Sequence, residues 1–322
     1  MMSDNSHLNL FTQMLRIRRI EEFISMQYKF NKMRCPVHLS IGQEAVPVGI
    51  CSELKKTDYT VSAHRSHAHY LAKGCNLKKM ISELFGKFNG CASGKGGSMH
   101  LIDPRAGQIA AVPIVGSSIS IGTGVGWAVK LKKINKIVCI FFGDGATESG
   151  AFLESLNFAS LHNLPIIFVC ENNFYSVYSD LSVRQSRNRS ILGIAKAHGI
   201  KTFKGNGNDI LTVNNIAKTA IKYLKENLKP VFIEFKTFRW LEHCGPNWDD
   251  HLKYRKKGEL NKWMKNCPID KIKKILLNKK ILNSAEIEIL ENKIQKEIFD
   301  AFKCAERSHF PKKEELFTNI YS

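Results

Sequence analysis

Two short apolar runs, Ile137–Phe142 and Ile166–Cys170, stand out along the chain. Both are rich in β-branched and aromatic residues and too short for a helix, so both predict strands buried on both faces. Between them Phe152, Leu153, Leu156, Ala159 and Leu161 recur at roughly helical spacing, and Leu164-Pro165 marks the return to a strand. Strand, helix and strand at this length form a parallel crossover unit. The first run ends in Gly143-Asp144-Gly145 and the second in Glu171-Asn172-Asn173. Both polar clusters therefore fall at carboxyl ends of neighbouring strands, where open α/β sheets place ligands.

The pattern extends in both directions. Leu10, Met14, Ile17, Ile24 and Tyr28 share one helical face, predicting an amphipathic helix of about five turns. Pro36 stops it, and Ser40 or Gly42 opens another helix through Glu44 and Val48. Gly122, Gly124 and Gly126 precede Trp127 in a segment that reads as a helix packed closely on its neighbours; without a preceding strand it is no dinucleotide fingerprint. Further on come a short helix at Ile191–His198, a strand around Ile200–Phe203, a turn at 205–209, a helix at Leu211–Leu224 and a buried strand at Val231–Phe235. After a cap at Asn283 or Ser284, Ile287, Leu290, Ile294, Ile298 and Ala301 share a face. The expected fold class is α/β, a parallel sheet with helices on both faces. Residues 1–262 would form the α/β domain and 263–322 a helical extension packed on the body or on a partner.

Composition narrows the class. The chain has 322 residues, 43% of them hydrophobic, enough for a full core. It contains no apolar run long enough to span a membrane and no secretory pattern at its start. Its nine cysteines are an odd set without a CxxC pair, which predicts reduced thiols and a cytoplasmic protein. The formal charge of +19 raises nucleic-acid binding as a distant alternative. The lysines, however, are scattered or gathered near Lys256–Lys280, without a stripe of stacking aromatics. A solvated basic surface, open to an acidic partner, accounts for them better.

The chemistry gathers at strand ends. Gly143 and Gly145 let backbone approach a ligand, Gly145-Ala146 can turn amides toward an anion, and Asp144 with an Asn amide offers hard oxygens. With a carbonyl such as that of Tyr175, this set suits Mg²⁺ completed by phosphate oxygens and water. GDG followed by NN at the next strand end resembles the thiamine-diphosphate signature. The surrounding sequence resembles the alpha subunits of 2-oxo-acid dehydrogenases of the pyruvate, branched-chain and acetoin type. The resemblance implies that Asp144, Asn173 and the Tyr175 carbonyl hold Mg²⁺. Gly143, Gly145 and Ala146 would lie at the diphosphate, and Val115 would offer backbone groups to the aminopyrimidine.

The matching blocks extend the implication. The block around MRCPVHLSIGQEA places His38 near the site entrance, with Gln43 and Glu44 as support. Arg65, in AHRSHAH, would hold a phosphate, and the clustered histidines beside it lack the spacing of a zinc site. GGSMH matches a loop over the active-site mouth, with Ser98 and His100 its polar candidates. In KTFRWLEHCGPNW, Arg239 would bind diphosphate, and His243 would handle protons or orient the substrate carboxylate. The sequence departs from the family at His64, where tyrosine is usual, at Ala68, usually glycine, at Cys244, usually serine, and at Gly245–Trp248.

The implied activity is decarboxylation of a 2-oxo acid, the cofactor's ring storing the electrons. The acyl group would pass to a lipoyl carrier on an acyltransferase. A beta subunit would complete the site in a two-alpha two-beta heterotetramer. The alternative is a related thiamine enzyme acting on acetoin or in sugar or secondary metabolism; a transketolase would join both halves in one longer chain.

Overall fold

The computed structural model describes residues 4–318; residues 1–3 and 319–322 of the two expected regions lie outside it. Six strands form one parallel sheet: β1 (Tyr59–Ala63), β2 (Gln108–Val112), β3 (Val138–Gly143), β4 (Ile166–Asn172), β7 (Lys201–Asn206) and β8 (Val231–Lys236), with β5 (Tyr175–Ser176) and β6 (Ser179–Asp180) a small separate hairpin. The strand order is β2-β1-β3-β4-β8-β7. In β3, Cys139 and Phe141 enter a core on one side, while Val138, Ile140 and Phe142 enter a core on the other. That alternation is why the runs are apolar throughout, since neither face meets water.

Helices cover both faces. On one lie α2 (Ala45–Cys51) and α9 (Ile210–Asn227). On the other lie α5 (Ser117–Leu131), α6 (Gly150–Leu161) and α8 (Ile191–Ala197). A Cβ on Gly122 would meet Ile140 Cδ1 at 2.5 Å, and one on Gly126 would meet Ile166 Cδ1 at 2.5 Å. The glycines thus let α5 lie directly on the sheet, as expected.

A third core joins the amino-terminal helix α1 (Asp4–Tyr28) to α3 (His67–Ala72), α4 (Leu77–Leu84), α11 (Pro268–Asn278) and α12 (Ser284–Arg307). α1 is 25 residues long rather than about five turns, because His7 and Leu10 are already buried near its start. Its polar residues are paired: Arg18 with Glu44, and Arg19 with Glu22 and Glu291. The next helix begins at Ala45 rather than at Ser40 or Gly42. Gly42 has φ +96°, and a Cβ there would stand 2.4 Å from Trp240 Cδ1, so it serves a tight crossing and not a helix start. Asn283 caps α12 in a capping box with Glu286. The expected join after residue 262 falls inside the helix α10 (Glu259–Met264). All nine cysteines are unpaired thiols. Among the described residues, no helix is long and apolar enough to cross a membrane.

Candidate active site

From β1 the chain moves to β2 on one side, and from β3 to β4 on the other. Such a reversal opens a crevice at the carboxyl ends of the strands. A cleft of about 730 Å³, counting its mouth, lies there, walled by His64 and Arg65 after β1, Val115 and Gly116 after β2, Gly143–Ala146 after β3, and Glu171 and Asn173 at β4. Tyr175, Ser176, Val177, Gln43 and His243 also line it. The two polar strand ends therefore meet.

Asp144 is 1% exposed and accepts the backbone N–H of Asn173 at 3.2 Å on Oδ1. Burial pushes its carboxyl up, and the Arg184 guanidinium against Oδ2 opposes that shift. The adjoining asparagines divide their work. Asn172 is buried, donating to Glu234 Oε1 at 2.8 Å and accepting the N–H of Phe174 at 3.1 Å. Asn173 faces the cleft, its Oδ1 accepting the N–H of Tyr175 at 3.1 Å with a lone pair to spare. The Tyr175 hydroxyl points away, donating to Glu259 Oε2 at 2.6 Å, which fixes the hairpin that carries its carbonyl. A Cβ on Gly143 would find nothing within 4 Å, so the backbone lies bare to the cleft. One carboxylate, one amide oxygen and one carbonyl beside exposed backbone fit a hard cation and the diphosphate it accompanies.

Arg65 donates to the Leu39 carbonyl at 2.7 Å and to the His243 carbonyl at 3.0 Å. Burial, then the charge of Arg239, draws its guanidinium down to about 9. Arg239 is 2% exposed and stands behind the wall, donating to the Leu241 carbonyl at 2.6 Å, the Val177 carbonyl at 2.7 Å and the Tyr254 hydroxyl at 2.9 Å. It touches the cleft through Val177 rather than lining it.

His38 also stands just behind the lining. Its ring lies 4.8 Å from that of His64 and 5.2 Å from that of His243, centroid to centroid. Burial, then the Arg65 charge, holds all three histidines far below their usual value, His38 at about 2, His64 at about 4 and His243 at about 3. All three are neutral at working pH. Because a guanidinium only donates, the Arg65 nitrogen 3.4 Å from His243 Nδ1 leaves that ring's proton on Nε2.

Several site residues carried no sequence signal. The basic run at 179–190, which reads as a surface loop, carries the short helix α7 (Leu181–Arg184) and folds back so that Arg184 pairs with Asp144 and Glu148. Glu171, by contrast, belongs to the polar cluster expected at that strand end; it lines the cleft and pairs with His69 at 2.9 Å. Neither Ser98 nor His100 lines the cleft, and His100 Nδ1 lies 2.7 Å from the Gly96 carbonyl. Ser98 bonds His67 Nε2 at 2.7 Å, and His67 in turn lies 3.3 Å from Glu21, which accepts both its bonds from the Ser40 N–H. This network ties the glycine-rich loop to α1.

A family model described as the dehydrogenase E1 component matches residues 12–314. The pyruvate dehydrogenase E1 component subunit alpha of Rickettsia bellii is 35% identical, over 98% of this chain and 95% of its own. The chloroplastic pyruvate dehydrogenase E1 component subunit alpha-3 of Arabidopsis thaliana is 33% identical over 98% of this chain and 74% of its own. The alpha subunit of acetoin:2,6-dichlorophenolindophenol oxidoreductase of Bacillus subtilis is 34% identical over 99% and 95%. Matched along nearly its whole length, the chain belongs to the dehydrogenase E1 component family.

Proposed function

We propose that this chain is the alpha subunit of a thiamine-diphosphate-dependent 2-oxo-acid dehydrogenase of the pyruvate dehydrogenase type. The observation that carries the reading is the convergence of Asp144 and Asn173 on one cleft with Arg65 and His243. Asp144, Asn173 and the Tyr175 carbonyl hold Mg²⁺, and the backbone of Gly143, Gly145 and Ala146 cradles the diphosphate. Val115 meets the aminopyrimidine. Arg65 supplies positive charge to the anionic end, and Arg239 fixes the Val177 wall beside it. The bound cofactor supplies an electron sink for loss of CO₂ from a 2-oxo acid.

The chain's own residues do the remaining work. His243 presents Nε2–H to the substrate, and His38 packs its ring in place. A neutral imidazole offers that N–H as a hydrogen-bond donor, able to orient the substrate carboxylate or a developing oxyanion. Val115 and Ile114 are exposed at the mouth, and Ile121, Leu131, Leu153 and Phe158 are exposed along α5 and α6. Apolar exposure beside a half-walled cleft suits a beta subunit. The assembly is a two-alpha two-beta heterotetramer in the cytoplasm that passes its acyl group to a lipoyl acyltransferase.

Co-purification with a beta subunit and a screen of 2-oxo acids for cofactor-dependent CO₂ release tests this. Pyruvate turnover by the complex and none by the chain alone is expected; turnover by the chain alone refutes the division of labour. A second reading, cleavage of acetoin, is supported by the similarity to the Bacillus subtilis subunit and by the unusual residues after His243. Acetoin in the same screen separates the two.

A further inference from the structure

Arg184 has no role in the reading above, yet its guanidinium stands against the very carboxylate assigned to the cation. It is 11% exposed by side chain, with Asp144 Oδ2 on one nitrogen and Glu148 Oε1 on another. Its Nε donates to the Ser179 carbonyl at 3.0 Å, which bends the segment back on itself. The neighbours follow the same path. Gln185 donates to Glu148 Oε1 at 2.8 Å, and Arg189 donates to Thr147 Oγ1 at 3.2 Å and to the Thr147 carbonyl. One basic strap, residues 179–190, is thus fastened to the turn Asp144–Glu148 that follows β3.

The charges explain the arrangement. Asp144 is almost fully buried, and an unpaired buried carboxylate is costly. The cleft also holds cationic Arg65, but two of its nitrogens are held by the carbonyls of Leu39 and His243, and the ion pair to Asp144 is made by Arg184. Arg184 therefore neutralises Asp144 when no metal does so. A divalent ion on Asp144 Oδ2 and the Arg184 guanidinium cannot occupy the same lone pairs, and two cations there repel.

We propose that Arg184 is a positioning residue acting through Asp144, an internal stand-in for the cation that must be displaced from Oδ2 as the metal and diphosphate enter. This rests on Asp144 being the metal's carboxylate. Glu148 retains the displaced guanidinium at the site's edge, so the strap shifts without letting go. The strap thus keeps the carboxylate aimed in the empty enzyme and sets how much metal is needed to load it.

The test is Mn²⁺ binding to the assembled, cofactor-stripped enzyme in the presence of thiamine diphosphate, counted from the free-ion paramagnetic resonance signal. Arg184→Met should bind Mn²⁺ at least tenfold more tightly than the wild type, and Arg184→Lys should lie between them. Glu148→Gln gives a second route if Arg184→Met does not fold: with one anchor of the guanidinium gone, Asp144 holds it alone, and binding should weaken several-fold. If Asp144→Asn abolishes Mn²⁺ binding but Arg184→Met leaves the affinity unchanged or lower, the strap proposal is overturned while the site assignment stands. If Asp144→Asn has no effect on Mn²⁺, the site assignment fails and the proposal with it.

Discussion

Replacing Gly143 with alanine should separate cofactor binding from folding. Gly143 ends β3 with φ −81° and ψ 168°, extended backbone that alanine adopts freely. The added Cβ has no protein atom within 4 Å. Folding therefore loses nothing, and the less flexible unfolded chain gives about 0.4–1 kcal/mol of added stability. The methyl projects into space that the diphosphate needs. Forcing a methyl into an occupied contact costs about 1–3 kcal/mol, so thiamine diphosphate should bind about 5- to 150-fold more weakly. Titration calorimetry of the cofactor into the assembled enzyme with excess Mg²⁺, run beside thermal melts, reads both quantities. Gly122→Ala is the control of opposite kind: its Cβ lies 2.5 Å from Ile140, so stability should fall by about 1–3 kcal/mol. Unchanged cofactor affinity in Gly143→Ala would refute the placement of the diphosphate against this strand end, and a lowered melting temperature would refute the open space around its Cβ.

Other outcomes follow from the same geometry. Glu44→Ala leaves Arg18 buried without its partner and should cost about 3–5 kcal/mol in urea denaturation, although Glu44 touches no reacting atom. Arg239→Lys cannot span the carbonyls of Leu241 and Val177; a loss of about 1–3 kcal/mol and weaker cofactor binding are expected, and an unaltered melt and affinity would count against it. His38, His64 and His243 take up protons far less readily folded than unfolded. Below about pH 6.5 the unfolded chain binds more protons, so stability falls as pH falls toward about 4, by up to about 1.4 kcal/mol per pH unit for each histidine. Denaturation midpoints between about pH 7.5 and pH 5 should drop more steeply for the wild type than for His64→Phe; parallel curves would contradict the shared burial.

The sheet and its two polar strand ends were legible because their causes are local. Apolar runs of strand length announce burial on both faces, and Gly143-Asp144-Gly145 and Asn172-Asn173 sit where such strands must stop. Which asparagine faces the cleft was not local: Asn172 is claimed by Glu234, a residue of a strand much later in the chain. Arg184 escaped for the same reason, since the run at 179–190 has no periodicity and its partner lies on another strand end. The opening of α2 was misplaced because Gly42 reads like a start signal, while its positive φ serves the close passage of Trp240. α1 starts before Leu10 because His7 and Leu10 are buried by neighbours that a single helix cannot announce, and further along it Arg16 and Arg19 reach Glu297 and Glu291 on α12.

That last contact has a consequence for reading sequence variants. The final long helix holds α1 through these ion pairs and through Phe302 beside Phe23, and α1 in turn holds Ser40 and His67 through Glu21. A lesion in α12, far from any reacting atom, is thus transmitted to the segment that carries His38. Such a variant would be scored as a catalytic defect in a turnover assay and as a folding defect in a melt, and both descriptions would refer to one event.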